Sequence, residues 1–349
     1  MQPTYIVGFL VAVLIAGCAE AGGGEDRPWP VNFPENPEDG FHFDGAADPF
    51  YEGWYYKVSL PADDEAFFFI YTAVNPAPQT AFLPQAFLYC GRASTLETVF
   101  RSYPVEAFSA ARQYRDARVG DGARATALRF AGEVDDNIHR CAWDIYLTGG
   151  VAWPETMGWL TGTEGLETYW TVGTITASAS GWVEFDGERV RFENQKGYCD
   201  HNWGIVFPQS WIWMQANAFS DTSVALAAAG GTVDMGGSEI EAFMIGLFFE
   251  GEMVTFRSQD LDTVTSEAEK GAWHMVGERE TERITITAHC DPAGMFHLLA
   301  PTREGTQARA WESLFGTVDV LLERRESAGD TWKVVFQDTS GYAGVEIGD

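Results

Sequence analysis

The sequence predicts an all-β protein made of two packed antiparallel β-barrel domains. Strand-like runs recur along the chain between short turn signals, while helical periodicity is weak. Thirteen Trp and 37 Gly supply large rings to bury and many tight turns. At 349 residues the chain is also long for one small barrel.

The elements follow a two-residue period. Residues 182–185 and 188–192 flank Asp186-Gly187, a two-residue hairpin signature. Residues 242–249 and 253–256 flank Glu250-Gly251 in the same way. The stretch 283–287 alternates apolar with polar, and Phe67 to Tyr71 is a continuous apolar run, as in a strand covered on both faces. No short-period repeat is visible. A boundary near residue 210 divides an N-terminal β domain (40–210) from a C-terminal one (211–349).

Composition excludes several function classes. The net charge is −29, and Lys is scarce (Lys57, Lys196, Lys270 and Lys333). A surface this acidic repels phosphate backbones, so no nucleic-acid partner is expected. Apolar residues make up 46% of the chain, enough for a sizeable core. No P-loop, dinucleotide fingerprint, Gly-x-Ser-x-Gly or His-Glu-x-x-His occurs, so no cofactor is expected.

The N-terminus reads as a targeting segment. Tyr5 to Gly17 is an apolar run too short to span a bilayer comfortably. It ends in Leu14-Ile15-Ala16-Gly17-Cys18, which resembles a bacterial lipoprotein signal. That resemblance implies a signal peptide over 1–17, lipidation of Cys18 and a flexible linker over 18–39. The chain would then be exported and anchored in the cell envelope through its lipid, on the periplasmic side of an outer membrane. No Lys or Arg precedes the apolar run, so an ordinary signal peptide and an uncleaved anchor stay open. Cys90, Cys141, Cys199 and Cys290 form either bridges, with three possible connectivities, or free buried thiols.

Two stretches could carry chemistry. In the first, Phe50 to Val58, a strand places Glu52, Trp54 and Tyr56 on one face, a carboxylate beside two rings. In the second, period-two reading of Trp211 to Phe219 separates an apolar face (Ile212, Met214, Ala216, Ala218) from a mixed one (Trp211, Trp213, Gln215, Asn217, Phe219). Rings with a few amides fit the wall of a ligand pocket, or else a sheet packed against a second domain. Just upstream, Cys199, Asp200 and His201 are all metal-ligand types. Consecutive strand residues point to opposite faces, however, so the three do not chelate one ion, and no metal is expected.

These stretches resemble the plant and cyanobacterial tocopherol cyclases. The matching segments are 40–45, 50–58, Tyr71 through Asn75-Pro76-Ala77, 181–189, Asn202-Trp203-Gly204, Phe207-Pro208, 211–219, Ala300-Pro301-Thr302 and 345–348. Where plant members typically read Ser-Glu-Lys-Asn-Trp-Gly, this chain has Cys199-Asp200-His201-Asn202-Trp203-Gly204. The resemblance implies two lipocalin-like halves, similar in fold to carotenoid hydratases. It also implies an isomerase that closes the ring of a prenylated hydroquinone without a cofactor. Such chemistry needs a carboxyl still protonated near neutral pH, ring faces for a tertiary cation, and exclusion of water. Glu52 and Asp200 are then the candidate acids, and Trp54, Tyr56, Trp203, Trp211 and Trp213 the candidate walls. Asn202, Gln215 and Asn217 are candidate partners for the hydroxyls. The expected partner is a hydrophobic small molecule, a prenylated quinol or related isoprenoid. A non-catalytic carrier of hydrophobic ligands, an isoprenoid hydratase and a Trp-faced glycan-binding module are the competing functions.

Overall fold

A computed structural model describes residues 29, 37–45, 49–235 and 237–349. The leader, Cys18 and most of the linker lie outside the described residues. Among the described residues the regular structure is strand and short 3-10 turn, with no α-helix.

Two antiparallel sheets make up the fold. The first contains β1 (Phe50–Leu60), β2 (Glu65–Asn75), β3 (Gln85–Arg92), β4 (Glu97–Pro104), β5 (Phe108–Ala110), β6 (Asp116–Val119), β7 (Ala123–Thr126), β8 (Arg129–Asp135), β9 (Arg140–Trp153), β10 (Thr168–Phe185) and β11 (Glu188–Gly204). Its order is β4-β3-β2-β1-β11-β10-β9-β8-β7-β6-β5. The sheet curls until β4 packs near β8, giving a nearly closed barrel. A Cys90–Cys141 disulfide ties β3 to β9, while among the described residues Cys199 and Cys290 are free.

The second sheet contains β12 (Ser210–Ala216), β13 (Ala225–Asp234), β14 (Glu239–Phe249), β15 (Glu252–Arg257), β16 (Thr263–Glu269), β17 (Ala272–Glu278), β18 (Glu282–His289), β19 (Phe296–Thr302), β20 (Gly305–Arg324) and β21 (Lys333–Gly348). Its order is β15-β14-β13-β12-β21-β20-β18-β17-β16, with β19 on β20. The same device organises both sheets: the first strand pairs with the last, β1 with β11 and β12 with β21.

Local chemistry accounts for the elements. Asp186 and Gly187 have φ of 50° and 87°, and Glu250 and Gly251 have 53° and 84°. Positive φ at both central residues is what a tight hairpin between right-twisted strands requires. The apolar run in β2 is covered on both faces, as expected. Phe67, Phe69 and Tyr71 enter the core of the first barrel, while Phe68 packs against Phe296 of the second sheet. The predicted strand from Trp211 to Phe219 is shorter than expected and stops at Ala216. Phe219, beyond the strand, joins Ile212, Met214 and Ala216 in the core of the second barrel.

The seam between the sheets is fastened by polar groups as well as rings. Gln215 and Asn217, expected to hold ligand hydroxyls, bond across it instead. Asn217 Nδ2 donates to the Gly197 carbonyl at 3.1 Å. Gln215 Oε1 accepts from Lys57 Nζ at 3.2 Å, and the same ammonium donates to Ser59 Oγ and the Tyr342 carbonyl, both at 2.6 Å. Burial pushes the Lys57 amine down to about 7. At about 1.4 kcal/mol per pKa unit, burying its charge costs on the order of 5 kcal/mol. The hydrogen bonds to Ser59, Gln215 and Tyr342 hold the amine in place without cancelling that penalty.

The consequence is a pH dependence of fixed sign. Between pH 7 and about 10 the unfolded chain holds the Lys57 proton and the folded chain releases it, so stability rises with pH. Lys57→Met is expected to be close to neutral in stability at pH 7 and to lose most of the rise between pH 7 and 9. Urea midpoints of both proteins at the two pH values measure this; equal rises would refute it.

Candidate active site

The main cavity lies in the seam between the two sheets, not inside either barrel. Period-two geometry decides who reaches it. Tyr51, Gly53 and Tyr55 of β1 line it, together with Asp200 and Asn202 of β11, and Trp211 and Trp213 of β12. Glu312 of β20 and Glu346 of β21 complete its polar wall. The rest of the lining is mostly apolar, including Leu166, Phe207, Met244 and Leu298.

The polar wall is built from direct strand pairs. Tyr55 sits opposite Asp200 in the β1–β11 register, and Trp213 sits opposite Glu346 in the β12–β21 register. Each of these two pairs sets one ring beside one carboxyl. Hydrogen bonds cross between the halves: the Tyr55 hydroxyl bonds Glu312 Oε1, and Trp213 Nε1 donates to the Tyr198 hydroxyl at 3.4 Å. Tyr198 in turn donates to Asp200 Oδ2 at 3.0 Å, beside a 2.9 Å bond from Trp170 Nε1. Asp200 Oδ1 and Glu312 Oε2 are buried without hydrogen-bond partners among the described residues.

The rings have room because the facing strand is cut back. A Cβ on Gly344 would lie 2.5 Å from the Trp213 ring, so any larger residue there displaces the indole. Trp213 meets Tyr55 edge-on at 5.4 Å between ring centroids and Tyr198 at 5.7 Å. Trp211 Nε1 donates to Glu346 Oε1.

Three carboxyls in one apolar seam cannot all ionise cheaply. Burial pushes Asp200 up to about 6, against the bonds from Trp170 and Tyr198. Glu312 and Glu346 are direct partners in the β20–β21 register, where two like charges repel. Burial first, and then the Glu346 charge, push Glu312 well above the usual carboxylate range. Burial also pushes Glu346 up to about 7. Both glutamates therefore hold their protons above the usual carboxylate range.

The structure divides the residues picked from sequence into three groups. Asp200, Asn202, Trp211 and Trp213 reach the cavity. Trp211 and Trp213 are each only 7% exposed, which removes the glycan-binding reading, since that needs rings on an open sheet face. Glu52, Trp54, Tyr56 and Trp203 point the other way, to the interior and mouth of the first barrel. Glu52, Trp54 and Tyr56 do share one face of β1, as expected, but it is the face opposite the cavity. Gln215 and Asn217 are taken up by the seam.

Glu52 is also held in the wrong protonation state for an acid. Its carboxylate accepts from the backbone N–H groups of His42 and Phe43, and both His42 Nδ1 and His201 Nε2 lie within 3.0 Å of Oε1. Burial works to raise it, but the bonds from His201 and His42 together hold it below the usual range.

Sequence reasoning missed Tyr55, Glu312 and Glu346. Glu346 lies in the 345–348 motif that already carried the family resemblance. Nothing local singles out Glu312 among 51 acidic residues.

Comparison with known proteins agrees with the fold. The chain is 28% identical over 368 residues to the "Probable tocopherol cyclase, chloroplastic" of Oryza sativa subsp. japonica, covering 89% of this chain and 78% of that protein. It is 27% identical to the chloroplastic tocopherol cyclase of Zea mays, covering 89% and 77%. A crystal structure of an AttH-type protein from Nitrosomonas europaea superposes with a TM-score of 0.52 at 13% identity, covering 91% of this chain and 99% of that one. The tocopherol cyclase-like family model matches residues 91–349, most of the chain, and the protein belongs to that family.

Proposed function

We propose that the seam cavity closes the ring of a prenylated hydroquinone by acid catalysis. The observation that carries this reading is the carboxyl pair Glu312–Glu346, set opposite Asp200 in a cavity walled by Tyr55, Trp211 and Trp213. Two kinds of carboxyl whose environments separate their pKa values suit an acid and a base in one site.

The steps balance as an isomerisation. The Glu312–Glu346 pair gives its proton to the less substituted carbon of the prenyl double bond, and the π electrons form the new C–H bond. This leaves a tertiary cation, which the faces of Trp211, Trp213 and Tyr55 stabilise. The phenol oxygen attacks the cation and forms the C–O bond, and its proton passes to ionised Asp200. Proton return from Asp200 to the glutamate pair resets the site. The apolar lining limits water, which would otherwise capture the cation as a tertiary alcohol.

The lipoprotein-like segment ending in Cys18 would place this work at a membrane surface, where prenylated quinols partition. Radiolabelled palmitate is expected to mark the wild-type chain in a bacterial host and to be absent from Cys18→Ser; equal labelling of the two would remove the lipid anchor from this picture.

Three further outcomes test the chemistry. Incubation with a phytylated benzoquinol is expected to give a chromanol, with one deuterium at the ring carbon next to the quaternary centre when the reaction runs in D2O. Glu312→Gln and Asp200→Asn are each expected to lower kcat by about 10²–10⁴-fold, the usual contribution of a positioned acid or base. Glu52→Gln, if folded, should keep at least a tenth of the activity, since that group lies outside the cavity. A tertiary alcohol as product would instead make the protein a hydratase. An intact bound lipid with no turnover would make it a carrier.

The pH profile gives an independent check. The base must be ionised and the acid protonated, so activity is expected to rise through about 6 with Asp200 and to fall only at higher pH with Glu312, whose carboxyl is held well above the usual carboxylate range. Asp200→Asn should flatten the acidic limb of whatever activity remains; a profile unchanged in shape would count against the assigned roles.

A further inference from the structure

A second cluster of chemistry-bearing groups sits on the opposite face of β1 from the cavity. His42, Glu52 and His201 come from three separate places in the chain, and their ligand atoms lie within 4.8 Å of one another. His42 Nδ1 is 3.0 Å from Glu52 Oε1, and His201 Nε2 is 2.9 Å from the same oxygen. Glu52 and His201 are fully buried, while His42 is about a quarter exposed, which leaves a route in from solvent.

The hydrogen-bond bookkeeping at His201 is unusual. Its Nδ1 lies 3.2 Å from the Glu38 carbonyl, which can only accept, so Nδ1 carries the hydrogen. In the neutral ring Nε2 is then a bare lone pair, aimed at a carboxylate oxygen 2.9 Å away. Two acceptors face one another, and a positive centre must lie between them: a second ring proton or a metal ion.

The surroundings have the form of a metal site. A metal-bound imidazole commonly donates its other N–H to a backbone carbonyl, as His201 does to Glu38. Ligating carboxylates are themselves hydrogen-bonded, and Glu52 Oε2 accepts from the backbone N–H groups of His42 and Phe43 at 2.9 and 3.3 Å. Both imidazoles are locked by stacking, His42 on Trp203 at 3.9 Å and His201 on Trp54 at 4.4 Å. Bonds of about 2.0–2.1 Å at tetrahedral angles separate ligand atoms by roughly 3.3 Å; the two imidazole–carboxylate spacings, 3.0 and 2.9 Å, are within a few tenths of an ångström of that.

We propose that His42 Nδ1, His201 Nε2 and Glu52 form a binding site for a zinc-class divalent cation at the mouth of the first barrel. Two imidazoles and one carboxylate are the donor set that suits zinc, with the fourth position taken by water. The ion fastens the segment around His42 to β1 and β11. Phe41 already bonds the Ala111 carbonyl on the barrel rim, so the ion would secure a strap that the fold has laid in place. This role is independent of catalysis in the seam.

The test uses the full-length protein, stripped with a chelator and dialysed against zinc. One zinc per chain is expected, with a raised Tm, and cobalt substitution should give the visible absorption of a tetrahedral nitrogen- and oxygen-ligated ion. His42→Ala and His201→Ala are expected to weaken zinc binding by at least about 100-fold, beyond the roughly 10–100-fold loss typical of an outer partner. Since His42 is partly exposed and outside any strand, His42→Ala should keep its far-UV dichroism and remain interpretable if His201→Ala does not fold. His139→Ala removes the half-exposed Glu97, His139, Asp186 cluster and should leave binding intact. Glu312→Gln should bind zinc as the wild type does. No saturable zinc binding overturns the proposal, as does zinc binding lost in His139→Ala but unchanged in His42→Ala.

Discussion

The pairing of the first strand of each sheet with its last sets the chemistry of the whole molecule. Because β1 lies against β11, and β12 against β21, the central strands are covered on both sides, by a barrel core and by the partner sheet. Along β1, and along β12 past Ser210, no residue is exposed, so parity chooses between two covered destinations. In β1 the odd residues Tyr51, Gly53, Tyr55 and Lys57 go to the seam, while the even residues Glu52, Trp54 and Tyr56 go to the barrel. A one-residue slip would exchange the cavity wall for the barrel core.

That arrangement explains how so acidic a chain can bury carboxyls at its centre. Asp200, Glu312 and Glu346 enter the seam on the innermost strands, where screening by water and salt is weakest. They are accommodated by different means. Asp200 takes two hydrogen bonds and sits in the milder position, whereas Glu312 and Glu346 oppose one another and are both pushed above the usual carboxylate range. On the other face of the same strands, Glu52 is surrounded by donors and kept ionised. Hydrogen-bond supply separates proton-holding carboxyls from an anionic one a few residues apart.

Lys57 belongs to the same account. Its buried amine is pushed down to about 7, so near neutral pH it bridges the sheets with only part of a full charge beside the glutamate pair. A permanently charged group there would draw the proton off Glu312. Seam stability and the acidity of the cavity are thus coupled through one side chain.

Much of the fold was legible in the chain itself. The Asp186-Gly187 and Glu250-Gly251 turns, the double-sided run in β2 and the two faces of residues 211–216 all follow from local sterics and a two-residue period. Within the site, Asp200, Asn202, Trp211 and Trp213 could be found because they sit in long aromatic motifs. The sequence by itself determined which residues of a strand share a face, since alternation is a property of the extended backbone. Only the tertiary structure decided which face met the cavity, because both faces of β1 carry aromatic rings. It also decided that Glu312 and Glu346, 34 positions apart in the numbering, become direct cross-strand partners. Opposition of that kind is set by the register of two long strands, and no local pattern encodes it.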